Sequence, residues 1–283
     1  MYLWIWLTIL SGILSGFLDI AKKKAFKKNS VLVVLTIYSF FSLLLVSFEF
    51  NSAMSMSADK ILIIFFKTFV VFLVFILSFT AIKNLPISVI TPFDTINPLF
   101  SIIFGILILN ERLTLFQCIG IIIMLLSYYF IGKVGSKEVV KLFNNKYLHF
   151  MIIAAVLNAV SATIDKVVLR STNPGQMQFW FSLFMFLFNA TTLFYVRLKN
   201  KDKIPIKFDL YIPLMSLLLI ISDRVYFTVL SIPSSQISLV MPLRKISIFI
   251  SVIIGGLIFK EKNLKEKFLC ICLLILGILF ITF

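Results

Sequence analysis

Three adjacent pairs of ionisable residues interrupt long apolar runs: Asp165-Lys166, Asp223-Arg224 and Arg244-Lys245. Asp94 stands in a fourth run. A charged side chain near the centre of a bilayer costs at least about 2.5–3.5 kcal/mol, so each marks a candidate functional position. In helices, Asp223, Arg224 and Arg244 fall at a common depth, roughly 10 Å below one surface at 1.5 Å per residue, and Asp165 and Lys166 fall near it. Two arrangements satisfy this: a polar cavity, or an ion-pair network that glues helices together with Lys166 snorkelling outward. Tyr226, three residues past Asp223, shares its helix face and offers a ring and a hydroxyl. Asn97 precedes Pro98, whose missing N–H leaves a carbonyl open to a ligand or marks a packed kink. Lys166, Arg224, Arg244 and Lys245 outnumber Asp165 and Asp223 at that depth. An anion held by Arg244, helped by Arg224 or Lys245, would relieve the imbalance, because a guanidinium presents parallel donors to a carboxylate or phosphate.

The elements that position these groups are apolar runs. The chain has 283 residues, 60% of them hydrophobic and 14% charged, with a mean hydropathy of +1.07. Soluble domains are about 45–50% apolar and about 25% charged. Runs long enough to cross a core of about 30 Å as helices occupy 2–20, 31–50, 61–82, 87–109, 115–132, 147–169, 177–196, 210–230, 237–259 and 264–283. They are continuous rather than alternating, which favours helices over a membrane β-barrel. The expectation is an all-α integral membrane protein of about ten transmembrane helices. Residues 1–20 lack a basic start and a small-residue cleavage site, so they read as a span rather than a signal peptide.

The net charge of +15 follows topology and does not require nucleic acid. Of 27 Lys and Arg, 19 fall in the odd-numbered loops, and only Lys60, Arg112 and Arg170 fall in the even ones. Basic loops stay in the cytoplasm. Both termini are therefore expected outside the cell membrane.

The chain also repeats at an offset of 150 residues: Ile87-Ser88 and Pro92 align with Ile237-Ser238 and Pro242, and Ser101, Gly105 and Glu111-Arg112 align with Ser251, Gly255 and Glu261-Lys262. Arg244 then occupies the position of Asp94. Each unit holds five spans, an odd number, so the second enters the membrane inverted. Units 1–132 and 147–283 flank a basic linker at 133–146. Inverted repeats are characteristic of alternating-access transporters, with the substrate between the halves.

The stretch Pro92–Gly120, with Leu109-Asn110-Glu111-Arg112-Leu113 and Gln117-x-x-Gly120, and its second copy Pro242–Lys267 resemble the drug/metabolite transporter superfamily in its ten-helix EamA-like form. The resemblance covers essentially the whole chain. It implies a membrane transporter of small molecules, as family members move amino acids, nucleotide-sugars, choline-like cations and drugs. Many members keep both termini in the cytoplasm, whereas the basic residues here argue the opposite.

Other chemistries find little material. There is no G-x-x-x-x-G-K-[ST] loop for nucleotide hydrolysis, and the one histidine, His149, sits at a helix start. Cys118, Cys270 and Cys272 lie inside spans and form neither a disulfide framework nor a metal site. Glu111 and Glu261, at helix ends, read as structural, and Trp180 as an interfacial anchor. The expected partners are the bilayer, a small-molecule substrate and a coupling proton on Asp94, Asp165 or Asp223, or none for facilitated exchange. No cofactor or enzyme activity is expected, and the chain is a monomer or homodimer. The rival reading on the same fold is a translocase of lipids or lipid-linked headgroups.

Overall fold

A computed structural model describes residues 3–26, 29–84, 96–135, 146–199 and 209–250, together with 254, 272–273 and 275–281. Asp94, Gly255, Gly256, Glu261 and Cys270 lie outside the described residues. The helices are α1 (Leu3–Ala25), α2 (Val31–Leu45), α3 (Phe50–Met54), α4 (Ala58–Asn84), α5 (Ile96–Leu109), α6 (Leu115–Gly135), α7 (Lys146–Leu169), α8 (Pro174–Lys199), α9 (Tyr211–Ser231) and α10 (Ile237–Arg244). No strand occurs among the described residues.

Among the described residues, five helices are long and apolar enough to cross a membrane: Leu3–Lys22, Ala58–Ser78, Lys146–Leu169, Pro174–Lys199 and Tyr211–Ser231. Asn97–Leu109 and Leu115–Ser127 are shorter apolar helices. The expected spans 87–109, 237–259 and 264–283 run into residues outside the described set. Large apolar side chains such as Phe66, Leu107 and Phe194 remain exposed, a surface that lipid covers and water would not.

One expected span is broken. The run 31–50 was read as a single helix, but α2 stops at Leu45, a 3-10 turn covers Ser47–Glu49, and the chain continues as α3. The two parts meet at a bend of 50°. The bend turns Glu49 inward, where its carboxylate presses on Gly175 so closely that a Cβ there would clash.

The α5 end shows how local sequence sets a helix boundary. Asn110 adopts φ 54°, a left-handed conformation that Asn tolerates, and the Glu111 N–H reaches back to the Gly105 carbonyl at 3.0 Å. The helix thus stops at a residue in the left-handed conformation. It aims the Glu111 carboxylate at the start of α10, where it accepts from the Ile237 amide at 2.6 Å, the Ser238 amide at 2.9 Å and the Ser238 hydroxyl. An anion at a helix N-terminus satisfies open amides and meets the positive end of the dipole. The second motif glutamate, Glu261, lies outside the described residues.

Cross-half packing comes in matched couples. α1 packs on α9 and α7 on α4; α2 packs on α9 and α8 on α4; α1 packs on α10 and α7 on α5. α2 and α8 pack on each other, as do α5 and α10. Small residues permit the closest approaches. Cβ atoms at Gly12 and Gly16 would meet the Arg244 and Ser247 carbonyls, and one at Gly120 would meet the Gly277 carbonyl.

Candidate functional site

The charged residues converge where α1, α4, α7, α8, α9 and α10 meet. Consecutive residues of α9 point different ways, because each is turned by about 100° from the last. Ser222 faces α1 and shares hydrogen bonds with Ser11 and Ser15. Asp223 faces α10, where its Oδ1 accepts from Arg244 Nη2 at 2.6 Å. Arg224 faces α8 and the turn after α2, donating from Nε to Gln178 Oε1 at 2.6 Å and from Nη1 to Glu49 Oε1 at 2.6 Å.

Arg244 is the hub. Besides Asp223 it donates from Nε to Ser11 Oγ at 3.1 Å and from Nη2 to Ser222 Oγ at 3.4 Å. Its guanidinium lies 4.1 Å from the centre of the Tyr226 ring, a cation–π contact that grows stronger as water is excluded. The Tyr226 hydroxyl itself turns to Met241 Sδ at 3.7 Å. No bond reaches Arg244 Nη1 from the described residues, and the side chain keeps 22% of its surface open.

A second pair lies deeper. Lys67 of α4 places its ammonium 3.0 Å from Asp165 Oδ1, and the two residues are 2% and 4% exposed. Sequence reasoning placed Lys67 in a span without giving it a role, and it missed Glu49 altogether. A lone lysine amid apolar residues was the available signal, since an inserted charge demands a partner.

Two expectations about the charges are corrected. The supposed shortage of acids at Arg224 and Arg244 disappears, because Glu49 supplies one partner and Asp223 the other. Lys166 does not snorkel: it is 3% exposed and donates to the Leu230 and Ile232 carbonyls and Ser235 Oγ at 3.0, 2.9 and 2.7 Å. There it clamps the C-terminal end of α9, where a cation meets the negative end of the helix dipole.

The remaining expected residues are dispersed. Lys245 is half-buried beside Arg244, with no side-chain partner among the described residues. Asn97 is buried in α5, its carbonyl and side-chain oxygens both facing Ser101 Oγ, and no bond joins it to the ion pairs. Asp94 lies outside the described residues. Asp19 forms an exposed pair with Lys22 at 3.0 Å. Trp180 donates to the Ala53 carbonyl at 3.0 Å and stacks on Phe184, so it packs the α3 tip against α8. Among the described residues no His, Cys, Asp or Glu group could hold a metal ion.

A separate cavity of about 670 Å³ opens between α2, α4 and α8, lined by Leu35, Phe72, Phe75 and Asn189. It lies toward the basic-rich end, away from the α3 tip.

The EamA-like transporter family matches residues 2–133 and again 145–283. Two copies of that domain fill the chain, so it belongs to the EamA-like transporter family, within the drug/metabolite transporter superfamily. It is a multi-pass membrane transporter. A solved crystal structure of a protein shares the fold, with a TM-score of 0.73 at 13% identity over 97% of this chain and 96% of that one. No curated protein matches the sequence.

Proposed function

We propose that the protein is a secondary transporter of a small polar metabolite bearing an anionic group, anionic or zwitterionic overall, working by alternating access. In this reading ten helices form two inverted five-helix units, 1–132 and 147–283, joined by the 133–146 linker. The observation that carries it is Arg244 at the junction of the halves. It touches Ser11 of the first unit and Asp223 and Tyr226 of the second, with Nη1 turned to no described partner. Lys245 adds positive charge beside it. A substrate carboxylate or phosphate would displace Asp223 from one edge of the guanidinium and use both donors.

The matched couples of helix contacts support the inverted repeat, because exchanging the halves maps each pairing onto another. The Lys60 ammonium bonds the Ser171 carbonyl and the Gln236 amide bonds the Arg112 carbonyl, so the basic-poor loops gather at one end. That supports a cell-membrane orientation with both termini outside. A cytoplasm-only reporter fused after Phe283 should stay dark, and signal there would overturn the orientation. The comparisons lend no support to a lipid-headgroup translocase.

The test is a thermal-shift screen of the purified protein against carboxylates and phosphates, each beside its neutral amide or ester. A ligand that binds only the folded state raises the melting temperature. The expected hit is an acid whose neutral analogue is inert and whose effect disappears in Arg244→Ala. Hits confined to simple cations, or an acid that stabilises Arg244→Ala equally, would refute the reading.

A further inference from the structure

The Lys67–Asp165 pair is set against aromatic rings. The ammonium lies 3.0 Å from Asp165 Oδ1. It also leans onto the Phe181 ring, 3.9 Å from its centre, and lies 5.5 Å from the centre of Phe227. Those rings stand at 84° to one another, so they form two walls of a corner that Asp165 closes with negative charge. No carbonyl or hydroxyl of the described residues bonds the Lys67 ammonium. Charge and ring faces alone hold it, as they hold ammonium ligands in aromatic cages.

A structural role explains this corner poorly. Replacing a buried ion pair by well-packed apolar residues is commonly neutral or stabilising, and Phe181, Phe227 and their neighbours already form a continuous apolar core. We propose that Asp165, Phe181 and Phe227 form an ammonium-binding subsite, and that Lys67 fills it with its own side chain. Lys67 thereby acts as a specificity-determining residue: it excludes amines from the transporter and leaves Arg244 to select for the anionic group. This rests on the transport reading above and narrows its substrate from anionic or zwitterionic to anionic.

The atoms lost beyond Cβ in Lys67→Ala are three methylenes and an ammonium, which n-propylammonium replaces. The experiment measures melting temperature for wild type, Lys67→Ala and Lys67→Ala/Asp165→Asn, each with n-propylammonium chloride or with n-propanol. The expected result is a rise of about 5 °C with the amine in Lys67→Ala alone, and none with the alcohol. A folded Lys67→Ala that ignores the amine, or a double variant that responds equally, overturns the proposal. If Lys67→Ala is recovered unfolded because Asp165 is left unpaired, recovery of folded protein in the amine but not the alcohol supports it, and no recovery in either overturns it. Failure of the anion screen would sink the Arg244 reading while leaving this result intact, so the two are separable.

Discussion

Arg244 Nη2 lies 2.6 Å from Asp223 Oδ1, joining α10 to α9 at the centre of the charge cluster. Asp223 is therefore the internal rival of any anion that Arg244 accepts. Asp223→Asn keeps the shape and removes the competing charge, so it should raise affinity for an anionic ligand by about tenfold, the effect of roughly 1.4 kcal/mol. Arg244→Lys should lower it, since a lysine lacks the planar fork. Isothermal titration of the three proteins decides the matter, and unchanged affinity in Asp223→Asn would count against the competition.

The Arg224–Glu49 pair ties α9 to the bend after α2, from which α3 packs against α8. Gln176 reinforces it through the Ser52 carbonyl at 2.8 Å. Glu49→Gln should loosen the tip and admit a membrane-impermeant maleimide from outside to a cysteine placed at Ser222, in a background where Cys118, Cys270 and Cys272 are serine. Labelling no faster than in the Glu49 protein would show that the pair is not a latch.

Lys166 tests the division between scaffold and site. Lys166→Met deprives two carbonyls and Ser235 of a charged donor, and it should cost about 2–4 kcal/mol of stability. Ligand affinity per folded molecule should be unchanged. A large loss of affinity at normal stability would return Lys166 to the substrate site.

The cap that joins the two copies of the shared motif gives a coupled prediction. Glu111→Gln weakens the charge-assisted bonds to the Ile237 and Ser238 amides, and a Cβ at Gly105 would fall on the Glu111 carboxylate itself. Each substitution should lower stability by about 1–2 kcal/mol, and the double variant should lose less than the sum. Additive losses in a melting experiment would separate the two residues.

Much of the scaffold was legible because its signals are local. The apolar run ending at Leu109 marks where α5 stops, and the offset of 150 residues aligns α5 with α10 as copies of one unit. The depth argument brought Asp223 and Arg244 together correctly, since distance along a helix converts directly into depth. Rotation about the axis is different: which neighbour a side chain meets depends on packing that an all-apolar surface does not encode. Hence Lys67 had no partner on paper, Glu49 was hidden inside a span read as unbroken, and Lys166 was expected to snorkel outward when its partners include backbone carbonyls, which no sequence displays.

The most direct measurement is uptake into sealed proteoliposomes of the acid found in the thermal screen, without nucleotide, with the unlabelled acid or its neutral analogue loaded inside. The account predicts saturable uptake that is accelerated by the unlabelled acid on the other side, ignores the neutral analogue, and is lost in Arg244→Ala. Uptake that persists in Arg244→Ala with unchanged affinity would contradict it, as would a transported substrate that is a simple cation.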